Sequence, residues 1–342
     1  MASRSGWTVK ANPFEEHQRR TFFENLDGLR GLSILFVLFH HVPHVPKEHV
    51  LHVLQANGRY GVSLFFVVSG FLIASLLLME QKRYGAVSLK NFYIRRSLRL
   101  FPLYYAVLGL EALLVFLVHA YSPENQAIFR QKLPSYLLYY SNLTSLATVG
   151  PFFFAWSLAV EEQFYLVFSQ LFHWLRPRVL VALIATALLG KVVLCQVGSL
   201  DLDTLGWRIG LSYAEPVLEG VLLAYALQVK GLFRYVSRLT RGPALGGLAV
   251  LLGVGLALVE LHDKSGLGAQ LLYLGVTALV GGLAMRSAVP GLGSPLLSHV
   301  GKISYGIYLL HMTLSTCPWS RKAKAFLDDK AVDYSYIDHD LA

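Results

Sequence analysis

Asn25-Leu26-Asp27-Gly28-Leu29-Arg30-Gly31-Leu32-Ser33-Ile34-Leu35-Phe36-Val37-Leu38-Phe39-His40-His41-Val42 is an apolar, helix-compatible stretch. It carries an Asp and an Arg near one end and paired histidines near the other. Arg30 and His41 stand eleven positions apart. At about 100° per residue that is three turns, so both fall on one face, about 16 Å apart along the axis. His40 is turned away by about 100°. In a bilayer a guanidinium and an imidazole facing one interior groove are costly, and the cost marks them as candidates for function. A plainer account also fits: an Arg reaching to the interface and a His closing the helix end.

The rest of the chain supplies that bilayer. Of its 342 residues 54% are hydrophobic and only 15% are charged, with a mean hydropathy of +0.49. Soluble domains carry about 25% charge. Several apolar runs reach the ~20 residues that cross a bilayer. The expected fold class is therefore all-α, a polytopic transmembrane helix bundle. The net charge of +9 is assigned to cytoplasmic loops rather than to nucleic-acid binding. Cys195 and Cys317 provide neither a disulfide framework nor a zinc set, and no metal site is expected. No phosphate-binding or dinucleotide fingerprint appears, so no permanently bound cofactor is expected. Residues 1–24 read as a polar cytoplasmic arm without the apolar core of a signal peptide.

Spans are expected at 26–45, 60–79, 101–119, 154–175, 179–197, 207–228, 242–260, 267–285 and 300–315. The stretch 134–149 is half polar and decides the topology. If it crosses, the basic loop at 230–241 falls outside. If it does not, the N-terminal arm, the basic segment 82–99, Arg176, Arg178, the 230–241 loop and Arg286 all fall inside. The second arrangement is the consistent one. It gives about nine spans plus one buried or re-entrant segment, with the N-terminus cytoplasmic.

Three further motifs carry chemistry. Phe154-Ala155-Trp156-Ser157-Leu158-Ala159-Val160-Glu161-Glu162-Gln163-Phe164-Tyr165 opens a span with two adjacent carboxylates. Glu161 and Glu162 differ by about 100°, so they face different partners: one for an imidazole or an acceptor hydroxyl, the other for an Arg. The alternative is an interfacial pair at a helix N-terminus, where anions are favoured. Phe92-Tyr93-Ile94-Arg95-Arg96-Ser97-Leu98-Arg99-Leu100-Phe101-Pro102 places Arg95 and Arg99 on one face at i,i+4. Arg forks suit phosphate oxygens; an anchor for anionic lipid is the equal alternative. Ile303 to His311 contains Tyr305, Tyr308 and His311, which read as bundle packing. Glu215 and Glu219 form another acidic pair, with Pro216 between them.

Taken together, Asp27-Gly28-Leu29-Arg30 with His41, Gly61-Val62-Ser63-Leu64-Phe65-Phe66-Val67-Val68-Ser69-Gly70-Phe71-Leu72-Ile73, Phe92 to Pro102, Trp156 to Tyr165 and Gly301 to His311 resemble, in order, the acyltransferase-3 family of integral membrane acyltransferases. The resemblance covers about residues 25–312, within a membrane domain of 25–316. It implies a ten-span bundle and O-acylation of a hydroxyl, usually on a carbohydrate or cell-envelope glycan, with an acyl-CoA donor from the cytoplasm. On that basis His41 and Arg30 are expected to be catalytic, with Glu161 or Glu162 orienting His41 or the acceptor. Arg95, Arg96 and Arg99 are expected to dock the donor's phosphates. Partners would be acyl-CoA, the glycan and the lipid of a bacterial cytoplasmic membrane. A transporter or flippase for a glycolipid or anionic substrate, its polar residues lining a path, is the competing reading. The family usually continues with another apolar helix after His311. Here Cys317-Pro318-Trp319-Ser320 and the residues to 340 resemble a fragment of a glutaredoxin, too short for an independent domain. The tail 317–342 reads as a truncated or joined reading frame.

Overall fold

The computed structural model describes residues 12–41, 51–144, 150–196, 214–240, 245, 247, 267–287 and 289–316. Among the described residues there are helices and no strand. The helices are α1 Pro13–Arg19, α2 Glu24–His40, α3 Leu51–Ala56, α4 Tyr60–Tyr84, α5 Leu89–Phe116, α6 Pro123–Leu137, α7 Ala155–Trp174, α8 Pro177–Gln196, α9 Glu215–Ala226, α10 Lys230–Leu239, α11 Leu267–Ala284 and α12 Pro295–Thr316. The expected span at 242–260 and the tail 317–342 lie outside the described residues, residues 245 and 247 excepted.

By length and composition α4 and α5 can cross a membrane, as can α9 with α10 if that pair, bent by 116°, is counted as one span; this holds for the described residues. The outer surface suits such a setting. Leu98, Leu110 and Leu113 of α5, Leu166 and Val167 of α7, and Leu183 and Leu189 of α8 are all exposed. Exposed apolar side chains on this scale are what a lipid-facing surface carries.

The helix at α4 is apolar on every side and sits at the centre. Phe66, Val67, Val68, Phe71, Ile73, Ala74 and Leu77 are all buried, as expected of a helix without a polar face. Against it lie α2 on one side and α9 on another. These contacts run backbone to backbone. A Cβ at Gly70 would collide with the Val217 carbonyl, and one at Gly220 with the Val67 carbonyl. The same holds between α2 and α12, where a Cβ at Gly301 would collide with the Asp27 carbonyl. A second, aromatic core forms around α5, α6 and α7. Tyr104 and Tyr139 stack at 4.3 Å, with Phe152 5.5 Å from Tyr104.

Several expected boundaries move, each for a local reason. The helix of the expected third span, α5, starts at Leu89, because the Ser88 side chain caps it by accepting from Asn91 N–H. The arginines expected in a basic segment before that span therefore lie within α5. The expected basic loop at 230–241 is largely the helix α10, which buries Phe233 and leaves Lys230, Arg234 and Arg238 exposed. The stretch 134–149 is not one continuous helix where it is described. It is the end of α6, a turn and one 3-10 turn at Ser141–Leu143. Asn142 and Gln163 exchange amide hydrogen bonds of 3.0 and 2.8 Å, which pin that turn to α7. Pro216 falls in the first turn of α9, where a missing N–H costs nothing.

The N-terminal arm is tied to the bundle. Asn25 donates to the carbonyls of Leu283 and Ser287, each at 3.0 Å, and accepts from Val289 N–H at 2.8 Å. It thereby closes the carboxyl end of α11. His17 of α1 is buried between Phe23 and Phe233, with ring centroids 5.9 and 5.4 Å away. Burial, and then the charge of Arg20, pushes its imidazole down to about 4.

Candidate active site

Arg30 sits midway along α2, where the helix face turns toward α4. Its guanidinium lies over the Phe65 ring, 4.9 Å from the centroid. Its Nε is buried with no hydrogen-bond partner. It borders a cavity of about 200 Å3 together with Asp27, Ser69, Arg96, Arg99 and Glu161. Glu161 is buried and accepts from Ser69 Oγ at 2.7 Å and from the Tyr165 hydroxyl. The Arg96 guanidinium lies over the Tyr165 ring at 5.2 Å. Three guanidiniums, those of Arg30, Arg96 and Arg99, thus face the carboxyl groups of Asp27 and Glu161. The balance favours an anionic guest.

The expected arginine pair is divided by the fold. Arg96 and Arg99 border the cavity, whereas Arg95 points away and pairs with Glu80 at 3.1 Å. The cause lies in α5 itself. Phe92 and Leu100 are its buried positions, and Arg96, four residues from each, shares their face.

A second chamber, about 40 Å3, adjoins the first. Phe65, Glu161 and Tyr305 border both. Beyond them the chamber is walled by Ile34, Val37, Val62, Phe66 and Leu158. Tyr305 donates to the Leu100 carbonyl at 3.1 Å, and the Tyr308 and Ser157 hydroxyls are 3.0 Å apart.

His41 stands at the far end of α2 as its C-cap residue rather than inside the helix. Its Nδ1 lies 2.7 Å from the carbonyl of Val37, a chamber wall. A carbonyl only accepts, so Nδ1 carries the proton and Nε2 keeps its lone pair. His40 points elsewhere, its Nδ1 2.7 Å from the Gln55 carbonyl. The His41 ring meets His311 edge to face at 5.3 Å. His311 Nε2 is itself buried without a partner.

Glu162 borders neither cavity. One of its carboxyl oxygens is buried without a partner, and Tyr104, Tyr139 and Tyr305 are among its electrostatic neighbours. The structure therefore gathers Arg30, Glu161, Arg96 and Arg99 around one cavity. His41 borders neither cavity and meets the second chamber only through the carbonyl of its wall residue Val37, and Arg95 and Glu162 lie apart. Ser69, Tyr165, Tyr305 and His311 join the site without having been singled out for chemistry. Glu215 and Glu219 belong to a separate buried network: Glu215 pairs with Lys191, and Glu219 accepts from Gln270 at 2.5 Å and Thr277 at 2.8 Å.

A family model described as an acyltransferase domain matches residues 23–317. The chain belongs to the acyltransferase-3 family. Among curated relatives of this acyltransferase, a Staphylococcus aureus (strain COL) protein provisionally named an O-acetyltransferase is 30% identical over 186 residues, 52% of this chain and 28% of that protein. The O-acetyltransferase OatA of Staphylococcus aureus (strain NCTC 8325 / PS 47) is 35% identical over 136 residues, 36% of this chain and 22% of OatA. The chain thus spans about a quarter of the length of the curated relatives it matches. No solved structure matches it.

Proposed function

We propose that this acyltransferase moves an acyl group, acetyl by analogy with the names of its relatives, from acyl-CoA to a hydroxyl of a carbohydrate or cell-envelope glycan. The protein is an integral component of a bacterial cytoplasmic membrane, with nine spans, a segment at 134–149 docked against the bundle and the N-terminus cytoplasmic. The observation that carries the reading is the pair of adjoining cavities that share Phe65, Glu161 and Tyr305 as walls. They run from Arg96 and Arg99, past Arg30 and Glu161, to Val37 beside His41.

In this arrangement Arg96 and Arg99 hold the phosphates of the donor. His41 Nε2 takes the proton of the acceptor hydroxyl, and the oxygen attacks the thioester carbonyl. Arg30, with an unused Nε in the same cavity as Arg96 and Arg99, helps to hold the donor there. The carbon–sulfur bond then breaks, the carbon–oxygen ester bond remains, and the proton passes to the departing thiolate. Glu161 holds the cavity wall through Ser69 and Tyr165 and balances the charge of Arg30.

The test is thiol release from acetyl-CoA, with the mass of the acylated glycan, in membranes carrying the full chain. His41→Ala should lower the rate about 100- to 10,000-fold, the usual worth of a general base, with membrane insertion intact. His40→Ala should cost far less. Equal losses for the two, or full activity in His41→Ala, would overturn the assignment.

A further inference from the structure

The inner chamber is small and dry. Its volume is about 40 Å3, while one water takes about 10–15 Å3 by the same measure. It accommodates a chain of about three non-hydrogen atoms. Four of its walls are deeply buried apolar side chains: Ile34, Val37, Phe66 and Leu158.

The polar atoms around it are already engaged. Ser33 Oγ donates to the Leu29 carbonyl at 2.8 Å and Ser157 Oγ to the Phe154 carbonyl at 3.1 Å. Tyr305 donates to Leu100, and Glu161 accepts from Ser69 and Tyr165. An occupant therefore gains apolar contact here and few hydrogen bonds. The chamber also adjoins the arginine-lined cavity, with Phe65, Glu161 and Tyr305 as shared walls. Its occupant is thus the short apolar end of a molecule whose other end is anionic.

Resting on the O-acyltransferase reading above, we infer that the inner chamber is the acyl pocket and gauges chain length. It takes two- or three-carbon acyl groups and excludes longer ones, with Leu158 and Ile34 as the residues that set the limit. Leu158 stands on α7 and Ile34 on α2, so the gauge is set by the distance between two helices rather than by a loop.

The experiment compares acetyl-CoA with butyryl-CoA in membranes containing the full chain. It reads the ratio of the two kcat/KM values, from which the amount of folded protein cancels. One misplaced methylene in an apolar pocket is worth about 10–200-fold. The wild type should prefer acetyl-CoA at least tenfold. Leu158→Ala should move the ratio toward butyryl-CoA by about tenfold or more, and the milder Ile34→Val by a few-fold. A wild type that uses both donors equally overturns the inference. So does a ratio that stays fixed in both variants. If the wild type releases thiol from neither donor, the acyltransferase reading falls with it; retained acetyl transfer at an unchanged ratio removes the gauge alone.

Discussion

Replacing the arginines of α5 one at a time separates a donor site from a surface anchor. Arg96 and Arg99 border the cationic cavity, and Arg95 does not. A hydrogen bond to a charged group contributes about 1.5–3 kcal/mol, or about 10- to 150-fold in affinity. Arg99 is exposed at the cavity mouth, so Arg99→Ala belongs at the low end, about tenfold. Arg96 is less exposed and stacks on Tyr165, so Arg96→Ala should cost more. On the proposed reading these groups hold the end of the donor remote from the reacting carbonyl. Their loss should therefore raise KM for acyl-CoA and leave kcat nearly unchanged. Arg95→Ala loses a pair with Glu80 whose Arg side chain is 60% exposed. Such a pair is worth about 0–1 kcal/mol of stability, and KM should stay within about twofold of the wild type. Steady-state thiol release against acyl-CoA concentration measures all three. If Arg95→Ala raises KM as much as Arg99→Ala, or if the losses fall on kcat alone, the cavity does not bind the nucleotide end.

Other outcomes follow from residues outside the cavity. Asn25→Ala removes two donated bonds and one accepted bond at the end of α11, which should cost about 3 kcal/mol and lower Tm by several degrees in detergent; an unchanged Tm would show that this tie between α2 and α11 contributes nothing. His17 is held at about 4 when folded and rises to about 6.5 when unfolded. Its depressed value makes stability present above pH 6.5 and lost as pH falls toward 4, by at most about 3 kcal/mol. Melting curves across that window should show the loss, and His17→Leu should flatten it; identical curves would remove His17 as the source. Removal of residues 317–342, or Cys317→Ser, should leave thiol release unchanged, because so short a segment has no core of its own; loss of activity in Cys317→Ser would make the tail a working part.

The opening helix and the carboxylate pair of α7 were legible because their chemistry is local: an Arg, a His and two carboxylates on otherwise apolar helices. The division of Arg95 from Arg96 and Arg99 was also within reach, since Phe92 and Leu100 mark the buried face of α5. The i,i+4 spacing of Arg95 and Arg99 drew attention to the wrong partner. The helical nature of 230–239 was obscured by its charge, although Leu232, Phe233 and Val236 keep a helical spacing. The His41–His311 contact was not legible. It joins residues 270 positions apart in the chain, and only the crossing of α2 and α12 brings them together. The second chamber has the same origin, being the space left where α2, α4, α7 and α12 meet.

That crossing of α2 and α12 has a mechanical side. Where Gly301 meets the Asp27 carbonyl, and Gly70 and Gly220 meet the carbonyls of the opposite helix, no side chain stands between the backbones to change rotamer and absorb a displacement. Sliding or rocking at these seams would press main chain into main chain. The four helices concerned form a stiff chassis. Carriers that expose a site alternately to each side do so by tilting one bundle against another, and a chassis of this kind resists that stroke. On the proposed acyltransferase reading, the two reactants would come to a stationary reaction centre from opposite ends, and only the group being exchanged would make the crossing.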